Sequence, residues 1–185
     1  IGTRAGKRVS AIVTDMDQPL GNAVGNSLEV MEAIEALSGR GPKDLMEVVY
    51  ALGAEMLLLA GMAENQENAE KMMMDCGESG KSKEKFGEFI SSQGGDSSYV
   101  WDTEKFPKAA YEKGVCAPEK GFVTAIEAER IGNACMALGG GRETKEGSID
   151  LSVGIMLKKK KGTIVEKGEV LAVIYGNDNE KIQRA

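Results

Sequence analysis

The chain has 185 residues, 42% of them hydrophobic and 28% charged, with a formal net charge of −6. That length can bury the core of one ordinary domain or two small ones, on the order of 70% of the unfolded chain's surface, and the balance is that of a soluble globular fold. A net negative charge argues against a general nucleic-acid binder, whose phosphate contacts need a concentrated positive surface.

In chain order, the first predicted element is a buried strand over residues 8–15, because Val9, Ala11, Ile12 and Val13 leave no polar face. A polar turn with Pro19, Gly21 and Gly25 follows, then a helix from about Asn22 to Leu37 carrying Val24, Leu28, Met31 and Ile34 at helical spacing. Ser38 to Pro42 ends it. A second helix, about Lys43 to Met62, places Leu45, Val48, Val49, Leu52, Met56 and Leu59 on one broad stripe, read as core. A third spans Asn65 to Cys76 with Asn65 or Asn68 able to cap it, and a fourth spans Lys83 to Ser92 around Phe86, Phe89 and Ile90. Met72 to Met74 point different ways around a helix, so gap-filling core methionines are a better reading than a soft-metal site.

Phe106-Pro107-Lys108 marks a boundary, giving one domain over residues 1–109 and a second over 110–185. In the second, Val115, Phe122 to Ile126, Leu151 to Leu157, Ile164-Val165 and Val170 to Tyr175 read as short strands separated by glycine turns. One helix, about Ala128 to Leu138, interrupts them. The Gly162, Val165, Gly168, Leu171, Ile174 rhythm fits a small barrel-like sandwich of the biotinyl and lipoyl carrier type, yet no lysine sits in the setting that carriers modify. Lys158 to Lys161 read as a solvated turn.

Three cysteines without metal-type spacing favour a reduced, cytoplasmic setting over a disulfide framework. No apolar run reaches membrane-spanning length, and no signal peptide is visible. Histidine is absent, which removes the commonest general base, so no nucleophile–base pair can be nominated. The start at Ile1 without a methionine suggests a piece of a longer protein. Asp15 and Asp17 share a face only if the strand continues that far. Gly139-Gly140-Gly141-Arg142 could hold a phosphate, but the cluster follows a helix and reads better as a terminator. The turn before the first long helix leaves carbonyl oxygens outside any helix bond, and Glu32 lies beside the apolar stripe. Its carboxylate needs a basic side chain, backbone N–H groups or a cation, and hard oxygens suit an alkali or alkaline-earth ion.

The run Thr14 to Val30, with Gln18-Pro19-Leu20-Gly21 at its centre, closely resembles the pyrimidine-nucleoside phosphorylase family, which includes thymidine phosphorylase. The resemblance continues through Asp44-Leu45 to Gly61, Ser92 to Asp96, Gly140-Gly141-Arg142-Glu143 and Ile149 to Gly154. It implies an α/β fold: part of a mixed-sheet domain with flanking helices, then a small α+β barrel-sandwich (hammerhead-like) lobe. The implied reaction is reversible phosphorolysis of pyrimidine nucleosides to free base and pentose 1-phosphate, in a homodimer. The family's Lys-His-Ser-Thr-Gly-Gly phosphate loop and its Arg, Ser and Lys base contacts do not occur here, so no catalytic or substrate-binding residue is carried over and the piece alone is expected to be inert. The resemblance does imply a potassium site on the carbonyls of Leu20 and Ala23 and the side chain of Glu32. An AMP-type phosphorylase, or a non-catalytic carrier or interaction module built on the sandwich-like lobe, are the alternatives. Neither nucleic acid nor membrane is expected as a partner.

Overall fold

A computed structural model describes residues 1–142 and 144–185; Glu143, part of the motif quoted above, lies outside the described residues. The chain separates into two compact units. One holds residues 1–15 and 34–100, the other residues 16–33 and 101–185.

The first unit is helical. Helix α1 (Asn26–Ala36) ends in it, followed by α2 (Lys43–Ala60), α3 (Gln66–Glu78) and α4 (Lys81–Ser92). Pro42 precedes α2, where a missing N–H costs nothing, and Gly61 closes it in the left-handed conformation. Of the two caps considered for α3, Asn65 serves: its side chain accepts the Asn68 N–H at 2.9 Å. Ile34, Met46, Ala54, Ala69 and Val100 form the buried set.

Two expectations are corrected here. Residues 8–15 form no strand, and Val9 and Val13 are exposed. A strand requires a neighbour to take its N–H and C=O groups, and among the described residues none pairs with this stretch. On α2, Leu52 and Met56 are exposed, whereas Met46 and Ala54 are buried. The helix is apolar on nearly every side, so periodicity does not single out the buried face. Close packing does: a side chain at Gly53 would sit 2.3 Å from the Met73 methyl of α3.

The second unit is built on a four-stranded antiparallel sheet in the order β1 (Ala23–Val24), β4 (Gly154–Leu157), β6 (Val170–Gly176), β2 (Tyr111–Cys116). A separate antiparallel pair joins β3 (Gly121–Phe122) to β5 (Ile164–Val165). After the short helix α5 (Ser98–Trp101), helix α6 (Ala128–Cys135) and the C-terminal α7 (Asn179–Arg184) accompany the sheet. Cys135, Leu138, Val153, Ile155, Leu157, Ile174 and Ile182 form one continuous core. Strand β2 is irregular between Val115 and Cys116, where one residue is skipped in the register with β6. The element classes are thus helix plus small antiparallel sheets. Among the described residues no helix is long and apolar enough to cross a membrane.

Candidate functional site

The segment from Asp17 to Glu32 belongs to the second unit, where the end of β4 and the residues that follow it, 157–161, hold it at successive points. The Lys161 N–H donates to Gln18 Oε1 at 3.1 Å, and the Leu157 N–H donates to the Asn22 carbonyl at 2.8 Å. Between these, the Lys160 ammonium donates to the carbonyls of Pro19 and Gly21, the latter at 2.6 Å. Asp17 adds two further ties: its carbonyl accepts the Ala128 N–H at 3.0 Å, and its carboxylate lies 3.6 Å from Lys161 Nζ.

The chain then becomes β1 and turns at Gly25 into α1. Gly25 has φ +134°, and a Cβ there would lie 2.6 Å from the Val153 carbonyl oxygen. Only glycine combines that φ with so close an approach to the neighbouring backbone. The first turn of α1 is closed internally, since Glu29 Oε1 accepts the Gly25 N–H at 2.9 Å. A carboxylate therefore already occupies the place where a helix N-terminus would attract an anion.

Glu32 comes one turn later. Its side chain runs back toward the helix N-terminus, the direction helical side chains take. Both carboxylate oxygens accept the N–H groups of Asn22 (3.0 and 3.1 Å) and Ala23 (3.2 and 3.3 Å). Of the partners considered for this carboxylate, backbone N–H groups are the ones present. The structure thus brings Ala23 and Glu32 together directly. Leu20 lies at the loop tip with a half-exposed side chain, between the two carbonyls that Lys160 holds. The Asn22 carbonyl faces β4, and Ala23 itself is buried.

The oxygen-rich loop accepts a monovalent cation in the form of the Lys160 ammonium, an observation that bears on whether the donor set fits an alkali ion. Hard carbonyl and carboxylate oxygens are the right chemistry for one. The carbonyls of Leu20 and Ala23 with the Glu32 carboxylate do not by themselves fill the coordination shell of a hard cation, so further ligands are needed. No cluster of three or more His, Cys, Asp or Glu side chains suited to a metal occurs among the described residues.

Lys160 is the residue that the sequence alone did not bring out. Four consecutive lysines read as a solvated run, and nothing local tells which one folds back onto a distant loop. The one available signal was the presence, elsewhere in the chain, of a Pro/Gly turn whose carbonyls no helix consumes.

The glycine cluster acts as the terminator expected of it. Gly139, at φ +107°, ends the wide turn that follows α6, and its carbonyl accepts the Asp150 N–H at 2.9 Å. The Gly140 carbonyl accepts Asn26 Nδ2 at 2.8 Å, which ties the cluster to the start of α1. The Ile149 to Gly154 stretch carries a second polar network. Asp150 Oδ1 accepts the Ser152 N–H and hydroxyl at 3.0 and 2.6 Å, and Oδ2 accepts Asn177 Nδ2 at 2.7 Å. Burial alone would raise the Asp150 pKa, but these hydrogen bonds and nearby Lys181 hold it below its ordinary value. Burial pushes the Cys135 thiol up, with Glu29 adding to the effect, so this cysteine is not a poised nucleophile.

Residues 1–83 match the family model described as glycosyl transferase family, a/b domain. Residues 122–185 match the pyrimidine nucleoside phosphorylase C-terminal domain. The chain is 51% identical over 177 residues to a pyrimidine-nucleoside phosphorylase of Bacillus subtilis (strain 168), covering 96% of this chain and 41% of that protein. It is 49% identical over 180 residues to one of Staphylococcus epidermidis (97% and 42%), and 48% identical over 177 residues to one of Staphylococcus aureus (96% and 41%). The chain belongs to the pyrimidine-nucleoside phosphorylase family, and it spans well under half the length of these curated relatives.

Proposed function

We propose that these residues are part of an enzyme that catalyses reversible phosphorolysis of pyrimidine nucleosides, giving free base and a (deoxy)ribose 1-phosphate. The observation that carries this reading is near-50% identity to named pyrimidine-nucleoside phosphorylases along almost the whole chain. In that enzyme residues 1–109 would be the latter part of the α/β domain and residues 110–185 a barrel-sandwich (hammerhead-like) lobe. The two small antiparallel sheets and the glycine turns between their strands support the lobe. The complete enzyme would be a cytoplasmic homodimer.

The role assigned to this chain is support rather than chemistry. Potassium would be held by the carbonyls of Leu20 and Ala23 and the carboxylate of Glu32, with the remaining ligands from elsewhere in the complete enzyme. Bound there, the ion would supply a fixed positive charge beside the phosphate co-substrate. Glu32 orients the loop by taking the Asn22 and Ala23 N–H groups. The cation already accepted by the neighbouring carbonyls of Pro19 and Gly21 supports this placement.

The test compares the complete protein carrying these residues with the 185-residue chain alone. Phosphate-dependent release of uracil from uridine, or thymine from thymidine, is expected from the first and not from the second. Release by the shorter chain overturns its inertness. Release of adenine from AMP by the complete protein, with no pyrimidine released, overturns the substrate.

A further inference from the structure

The Lys160 ammonium takes two carbonyls of one three-residue turn, Pro19 and Gly21, across 139 residues of sequence from the latter. The side chain is only partly exposed. The turn it enters leads directly into Asn22 and Ala23, whose N–H groups face Glu32. An ammonium group and an alkali cation present the same charge, at similar size, to carbonyl oxygens. A charge-assisted hydrogen bond is also roughly twice as strong as a neutral one.

We propose that Lys160 is a tethered cation for this loop: it occupies a monovalent-cation position on the Pro19 and Gly21 carbonyls and so fixes the turn without a free ion. Its neighbours are otherwise engaged. Lys159 pairs with Glu169, and Lys161 lies beside Asp17. Lys160 is thus a positioning residue, set from the segment after β4, for the oxygens on either side of Leu20. The inference rests on these contacts and goes beyond the phosphorolysis reading. If the complete enzyme proves to act on something else, the contacts and their test are unaffected.

Removing the ammonium should expose the vacated carbonyls to solvent and make the loop dependent on dissolved cations. Hydrogen exchange is measured on the 185-residue protein for the peptide covering Gln18 to Val24, in potassium chloride and in tetramethylammonium chloride at equal ionic strength. Wild type should exchange at the same rate in both salts. Lys160→Met should exchange about tenfold faster in tetramethylammonium, the size expected for losing hydrogen bonds to a charged group, and recover at least in part in potassium. The strand peptide covering Val170 to Gly176 reports whether the lobe stays folded. If that peptide also accelerates, Lys160→Arg decides the matter, because it keeps the charge and the donors; protection retained in this variant supports the proposal, and protection lost overturns it. Exchange of Lys160→Met within twofold of wild type, or recovery that does not distinguish potassium from tetramethylammonium, overturns it. Glu32→Gln tests the separate potassium site: loss of potassium binding by the complete protein in this variant, with Lys160→Met behaving as above, keeps the two assignments apart.

Discussion

Replacing Gly25 with alanine perturbs the junction between the loop and α1 at its tightest point. The residue has φ +134°, a conformation that costs a side-chain-bearing residue about 1–3 kcal/mol. The new methyl group would also lie 2.6 Å from the Val153 carbonyl oxygen and 2.8 Å from the Gly154 Cα. Both are backbone atoms and cannot rotate away, so the strand pairing of β1 with β4 must open; overpacking of this kind costs about 1–3 kcal/mol more. Together the loss is about 2–6 kcal/mol of the second unit's stability. Gly168→Ala is the control, with φ +84° and no atom within 4 Å of the added carbon, where only the left-handed backbone cost of about 1–2 kcal/mol applies. Urea unfolding followed through the NMR signals of Ile155 and Ile174, both in the core of this unit, reports the unit without interference from the helical one. A Gly25→Ala loss no larger than that of Gly168→Ala would refute the argument that backbone contact, rather than φ alone, demands glycine here.

Two further outcomes follow from titratable groups. The folded-state pKa of Asp150 is depressed, so the stability it contributes is present above the ordinary aspartate range and is lost as pH falls through the folded value. Asp150→Asn should accordingly lower stability at neutral pH and flatten the acid limb of the stability profile below about pH 4; an unchanged slope there would contradict the network. Among the thiols, Cys76 and Cys116 are exposed and Cys135 is buried with a raised pKa. A thiol-reactive dye should label the first two promptly and Cys135 only when the second unit opens, and three equally fast thiols would contradict that burial.

Much of the helical pattern could be read from the sequence because its signals are local. Asn65 caps α3, Pro42 precedes α2 and Gly139 ends the turn after α6, each through chemistry contained within a few residues. The strands over Ile164-Val165 and Val170 to Tyr175 were likewise legible from short apolar runs between glycine turns. What failed was non-local. The Val9 to Val13 run has strand composition, but composition does not supply a neighbouring strand. On α2 the apolar residues outnumber the places that packing offers, and only the meeting of Gly53 with Met73 shows which side faces α3. The site divides in the same way. Glu32 stood out as a half-buried carboxylate needing a partner, and the loop oxygens as unused acceptors. That the carboxylate is met by two amides and the oxygens by Lys160 depends on the pairing of β1 with β4, which no local pattern encodes.

That pairing also fixes an order of events during synthesis. The turn at Pro19 to Gly21 is made before the lysine that holds it, which lies 139 residues downstream of Gly21. Closing so long a stretch of chain carries an entropic cost that grows only slowly with its length, so the delay arises from translation rather than from the search. At about 5–20 residues per second, the ribosome needs roughly 7–28 seconds to reach Lys160 after Gly21. Until then the loop oxygens lack both their ammonium and the strand edge beside them. The nascent chain can form helices α1 to α4 in that interval, while the Pro19 to Gly21 turn waits for Lys160.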